Sequence, residues 1–313
     1  MKNPNHSNRE PHRGPGNRRR GFTLLEMVVV IGIIGLLATM AVPAFKGLGK
    51  GNIMANATQQ FVGDLNLARQ QAIKLHTPVY VVFATTNIWN YDSRVSAFLS
   101  QNNDVYTIIE RQKTSNVFRN LIGGQQSSYA LLVLHEVGSQ PGRDRARYLN
   151  PGWKSLPEGV IFPSLMFNPA VAQAYRTTSS DTNLTTLRPV PMGRFPFPTI
   201  AADGSSAVTN ALLPFIAFDA NGRLWIDRMN QGYTDAEANT LFPDYKNFAF
   251  NATVDLTNSL AVGSVFVPRS ADGSNYLNRP ADILELPKTN SIDNRVVTTA
   301  STGRTKILRP NLK

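Results

Sequence analysis

Apolar and polar positions divide the chain into a leader, two helical stretches and a long region of strands. Residues 1–20 are polar, rich in Asn, Pro, Gly and Arg, and end in Arg18-Arg19-Arg20. Such a segment has no apolar surface to bury and reads as a leader without fold of its own. From Phe22 to Val42 the chain is almost wholly apolar, FTLLEMVVVIGIIGLLATMAV. As a helix rising about 1.5 Å per residue, these 21 positions reach roughly 30 Å, the hydrocarbon thickness of a bilayer. Helical periodicity returns further on: Met54, Ala57, Phe61, Leu65, Ala68, Ala72 and Leu75 recur every three or four residues. Gln59, Gln60, Asp64, Arg69, Gln70 and Lys74 fill the other faces of that helix, which His76-Thr77-Pro78 ends. A period of two then predicts a strand at 79–83. Further strands are expected at 105–110, 129–136, 159–162, 213–219, 223–227, 264–268, 282–286, 295–300 and 305–308. Asn221-Gly222, between two apolar runs, signals a tight hairpin.

Between the two helical stretches, Lys46-Gly47-Leu48-Gly49-Lys50-Gly51 places three glycines in five residues. Each weakens a helix by about 1 kcal/mol, so a soft spot between membrane and soluble parts is expected. A phosphate loop is excluded, because no strand precedes these glycines. Glu26 is the anomaly of the apolar stretch, a carboxylate costing a few kcal/mol at membrane depth unless partnered or protonated. An ordinary anchor leaves it unexplained. A secretory signal with Thr39 and Ala41 as its cleavage site, or a twin-arginine signal echoed by Arg19-Arg20-Gly21-Phe22, is disfavoured by a glutamate in its apolar core.

Gly21-Phe22-Thr23-Leu24-Leu25-Glu26 with the apolar run behind it resembles the amino-terminal signal of type IV pilins and type II secretion pseudopilins. The resemblance implies that a prepilin peptidase cuts after Gly21 and methylates Phe22. It also implies that Glu26 and Pro43 serve assembly with other pilin or pseudopilin subunits. A second likeness, to the GspH/FimT group, rests on Ala57, Phe61, Asp64-Leu65, Ala68-Arg69, Ala72-Ile73 and Pro78-Val79. Trp153 to Val160, the phrase PFIAFDANGRLWID and the closing NRVVTTASTGRTKIL extend it. A weaker likeness is to pilin-like proteins of Verru_Chthon cassettes.

The expected fold is therefore α+β: a long amino-terminal helix, transmembrane then amphipathic, packed on an antiparallel β-sheet head with large loop insertions. Its expected divisions are a cleaved basic leader (1–21), a transmembrane helix (22–43), a stalk helix (44–76) and a globular head (77–313). The insertions are placed at 86–150, 165–210 and 228–280, outside the likeness. Within them, Thr177–Thr186 is a Ser/Thr/Asn tract, and the proline-punctuated Arg188–Pro198 is a candidate rigid extended ligand. The expected location is the inner membrane with a periplasmic head, filament-associated after assembly.

Composition sharpens this reading. The 313 residues contain no cysteine, which removes disulfides, thiolate metal cages and a cysteine nucleophile together. The net charge of +11 sits at the ends: 1–21 holds six basic residues against Glu10, and 288–313 holds six against Asp293. A nearly neutral middle speaks against a nucleic-acid wrapper. Catalytic constellations are not found: His135-Glu136 lacks a second zinc-helix histidine, His76 lacks a partner, and no G-x-S-x-G turn occurs. Asp219-Ala220-Asn221-Gly222 has the look of a turn rather than of a calcium loop. No enzyme activity and no cofactor is expected. The cations Arg304, Lys306 and Arg309 form a candidate DNA-binding edge, similar to the Gly-Arg-x-Arg element of some minor pilins. Lys306 stands where the second arginine would, without its planar fork. The partners to be weighed are thus prepilin peptidase, other subunits, inner-membrane lipid, and DNA or an exported cargo. A surface sensor using the same export route is a further alternative.

Overall fold

The computed structural model describes residues 23–85, 88, 91–100, 108–134, 147–149, 152–168, 190–198, 209–225, 256–266, 284–286 and 294–308, without the side chains of 38–51, 92–93, 98–99, 108, 110, 264–266, 284–286 and 294. The chain divides into two units, 1–49 and 50–313. Helix α1, Leu24–Leu75, contributes to both. It is helical through 46–51, so the glycines there lower helix propensity without ending the element. Among the described residues no helix is long and apolar enough to cross a membrane.

In the second unit the expected apolar stripe is the buried face of α1. Met54 is 6% exposed, and Ala57, Phe61, Leu65, Ala68 and Ala72 are fully buried. The helix ends as the sequence predicts. His76 takes the left-handed conformation at φ 51°, and the Thr77 N–H reaches back to the Ala72 carbonyl at 3.3 Å.

Strand β1, Val79–Phe83, is central in a seven-stranded antiparallel sheet. The others are β2 (Ser128–Val133), β3 (Arg147–Tyr148), β4 (Lys154–Ser155), β6 (Met192–Phe197), β7 (Thr209–Phe218) and β8 (Leu224–Trp225). The path is β3-β2-β1-β7-β6, with β4 on β2 and β8 on β7. All five β1 residues are buried, because both faces of the sheet are covered. Val79, Val81 and Phe83 join Tyr129, Leu131, Ile216 and Phe218 in the core that holds the α1 stripe. Tyr80 and Val82 join Ala130, Leu132, Phe215 and Ala217 in a second core on the opposite face.

Two helices supply that second core, α2 (Asp92–Ser100) and α3 (Ile108–Gly123), through Val95, Phe118, Leu121 and Ile122. Both lie where loop insertions were expected. The strand expected at 105–110 is overturned in its described part, since Ile108–Glu110 opens α3. β-branched residues there suggest a strand, but Thr114, Phe118, Leu121 and Ile122 bury at helical spacing and tertiary packing decides. The expected rigid ligand 188–198 is also overturned over its described part: it contains β6, with Met192, Phe195 and Phe197 fully buried.

The large sheet is strongly curled. Four strand intervals laid flat would separate β3 from β6 by about 19 Å. Yet the Tyr148 hydroxyl donates to the Pro196 carbonyl at 2.7 Å, and the Trp153 and Phe197 rings meet edge-on at 6.1 Å. Tyr148 is buried, which pushes its phenol well above the usual tyrosine range.

A four-stranded sheet runs β13-β12-β9-β5, from β5 (Val160–Ile161), β9 (Leu256–Val262), β12 (Asn294–Thr298) and β13 (Thr305–Leu308). A separate pair joins β10 (Ser264–Phe266) to β11 (Leu284–Leu286). Strand β9 lies inside the expected insertion 228–280, and its Leu256 and Leu260, with Val296, complete the α1 core. The Leu224 N–H bonds the Ala300 carbonyl at 3.1 Å, stitching the two larger sheets at their ends.

Candidate functional site

The amino-terminal end is built by a helix cap. Thr23 precedes α1, and its hydroxyl accepts the Glu26 N–H at 3.2 Å, while its carbonyl accepts the Met27 N–H at 3.2 Å. This is the threonine half of a Thr-x-x-Glu capping box, a spacing visible in the sequence but not read there. It places Glu26 in the first turn, where a carboxylate is favoured by the helix dipole. Around it the side chains from Leu24 to Leu37 are exposed on every face of the helix, from Val30 at 43% to Leu24 at 83%. A helix apolar all round is a surface that water disfavours, and within it Glu26 is the single described carboxylate. Gly21 and Phe22 lie outside the described residues, as does the side chain of Pro43, whose backbone belongs to α1.

Asp64 was expected on an open helix face, but only 7% of it is exposed. Its carboxylate accepts the Tyr129 hydroxyl at 2.6 Å and pairs with the Lys154 ammonium at 2.6 Å. Gln60 donates to the same hydroxyl at 3.1 Å and to the Ser155 carbonyl at 3.0 Å. The cluster pins α1 to β2 and β4 in one register. Burial first, then the bond to Asp64 and its charge, raise the Tyr129 phenol above its ordinary value near 10, and the Gln60 contact opposes them. The neutral phenol is therefore the form that folds. Its contribution is complete below about pH 10 and is lost as the pH rises above that value. Thermal unfolding in alkaline buffers is expected to fall more steeply above pH 10 for the parent than for a Tyr129→Phe, Tyr148→Phe double variant. Equal slopes would contradict the assignment.

A third cluster fixes the carboxy-terminal hairpin. Arg69 Nε donates to the Gly222 carbonyl at 3.1 Å and to the Thr302 carbonyl at 2.8 Å, and Thr305 bonds Asn66 at 3.2 Å. Asp219 closes the Asn221-Gly222 turn by accepting the N–H groups of Asn221 at 2.9 Å and Arg223 at 2.8 Å, so a turn stands where a calcium loop was weighed. Gly222 and Gly303 adopt φ of 74° and 62° and face each other. A Cβ on Gly303 would overlap the Gly222 carbonyl. The glycine of Gly303-Arg304-Thr305-Lys306 is thus explained by packing. Arg304 and Lys306 are both exposed on this hairpin, and Arg309 lies outside the described residues. His135 and Glu136 lie outside them too, and no group of potential metal ligands occurs among the described residues.

Two known families match the segments that carry these features. The prokaryotic N-terminal methylation motif matches residues 16–42, and the type II transport protein GspH matches residues 57–159. Residues 57–159 are thus GspH-like, and the amino terminus carries a prepilin-type motif. The GspH match runs through 86–150, so the likeness extends over a stretch expected to be an insertion outside it. Fimbrial protein Q of Moraxella bovis is 43% identical over 49 residues, 16% of this chain and 29% of that protein. Prepilin peptidase-dependent protein D of Escherichia coli (strain K12) is 39% identical over 46 residues, 15% of this chain and 32% of that protein. The chain thus spans about a third of the length of these relatives. No solved structure matches it.

Proposed function

We propose that this GspH/FimT-like chain is a non-enzymatic pilin-like subunit, a minor pilin or pseudopilin. A prepilin peptidase cuts it between Gly21 and Phe22, and it enters a filament of a type II secretion or type IV pilus system through its amino-terminal helix. The observation that carries this reading is the apolar surface of 24–37, exposed on every face of the helix and interrupted only by Glu26 at a capped helix start. Lipid covers such a surface before assembly and neighbouring helices cover it afterwards. The basic leader holds the scissile bond at the cytoplasmic face, with the head in the periplasm. Once Phe22 is the new terminus, its α-amino group is a positive charge in apolar surroundings. The Glu26 carboxylate of a neighbouring subunit neutralises it, since a buried charge is tolerated only when paired.

Intact mass decides the processing step. Expression with a prepilin peptidase is expected to yield a chain that begins at Phe22 and carries one added methyl group, and expression without it a chain that keeps its leader. Retention of the leader in the presence of an active peptidase would refute the proposal. DNA uptake ranks below assembly, because among the described cations of the last hairpin only Arg304 and Lys306 are exposed, Arg295 on β12 being half-buried. Non-specific DNA binding draws on several phosphate contacts.

A further inference from the structure

The two larger sheets of the head end on edges that are protected unequally. β6 carries Pro196, which has no N–H to offer an incoming strand, and β3 and β5 are two residues long. β13 has neither protection. It runs four residues without proline, and among the described strands it pairs with β12 alone. Ile307 is 39% exposed and Leu308 43%, on opposite faces of the strand. An edge lysine ordinarily discourages strand addition. Lys306 here is followed directly by two apolar side chains that remain in water.

We propose that β13 is a docking edge for an extended, acidic segment of another protein, which adds to the four-stranded sheet as a further strand. The free N–H and C=O groups of an edge supply the pairing, and alternate side chains supply the selection. Charge selects the occupant. Arg304 and Lys306 are exposed, and neither has a carboxylate partner among the described residues. They sit in a terminal region, 288–313, that holds six basic residues against Asp293. A second copy of this chain would bring the same positive charge to the contact, so self-pairing is disfavoured. A nucleic acid would engage the cations, but it has no peptide groups to pair and gains nothing from Ile307 and Leu308. The edge is also held in place: Thr305 bonds Asn66 of α1, and Arg69 bonds the preceding turn at Thr302. Little ordering is therefore left for the binding step.

The test uses the full chain in detergent micelles and a short fluorescent peptide alternating Glu and Val, with a Lys/Val counterpart as its control. The acidic peptide is expected to bind at least about tenfold more tightly than the basic one. Amide exchange at 305–308 is expected to slow about tenfold in the complex. Lys306→Glu is expected to narrow the preference to less than about threefold without moving the thermal midpoint, and Ile307→Pro to abolish binding. Equal affinity for both peptides, binding that leaves exchange at 305–308 unchanged, displacement of the peptide by duplex DNA, or self-association through the same edge would each overturn the proposal.

Discussion

Glu26→Leu is expected to leave insertion into the membrane intact and to abolish incorporation into filaments. The first half follows from solvation: a carboxylate at membrane depth costs a few kcal/mol, so leucine makes the span a better one. The second half follows from pairing, because removing one partner of a buried ion pair leaves the other uncompensated, at about 3–5 kcal/mol. In the proposed filament, the charge left behind would be the Phe22 amino group of the neighbouring subunit. Glu26→Gln separates charge from shape, since it keeps the side chain's size and hydrogen-bonding atoms. It is expected to fail in assembly as leucine does. The measurement is the ratio of sheared filament to membrane-bound subunit for parent and variants. Parental incorporation of the glutamine variant would remove the charge pair from the mechanism.

Gly303→Ala is expected to destabilise the head by about 2–5 kcal/mol, combining an overpacked contact with a left-handed backbone. The φ of 62° is unfavourable for alanine, and the added methyl meets a backbone carbonyl, that of Gly222, which has no flexible end to move aside. Gly222→Ala should cost less, because its methyl would meet the tip of Ile73, a side chain that can rotate. Chemical denaturation of both variants checks the order. A Gly303→Ala protein as stable as the parent would mean that the two turns are not apposed as described. The variant also bears on the docking edge, since the Thr302 carbonyl held by Arg69 sits next to Gly303 in the turn that leads into β13.

The most legible part of the molecule was the part with the simplest periodicity. The α1 stripe from Met54 to Ala72 buries as its three- and four-residue spacing requires, because a helix that covers one core must repeat its apolar residues at that period. The Asn221-Gly222 turn was equally readable, with Gly222 at positive φ. The prepilin-type amino terminus was legible as a motif because its chemistry is local. A glycine, an acid and an apolar run act within a few residues of one another.

What escaped was decided by contacts between residues far apart in the chain. A period of two at 79–83 implies one buried face, yet all five β1 side chains are apolar and buried because both faces are covered. Nothing local showed that α2 and α3 would provide the second cover, since 105–110 has strand-forming residues and the helix forms only because Phe118, Leu121 and Ile122 find Phe197 and its neighbours. Asp64 looked like a surface acid until Lys154 and Tyr129, both distant in sequence, closed around it. The sequence alone thus determined the apolar amino-terminal stretch, the amphipathic helix and the turns, each governed by neighbours a few positions away. The tertiary structure decided the second core, the curl of the large sheet and the buried ion pair, because burial is a property of the partners that arrive and no residue carries it alone.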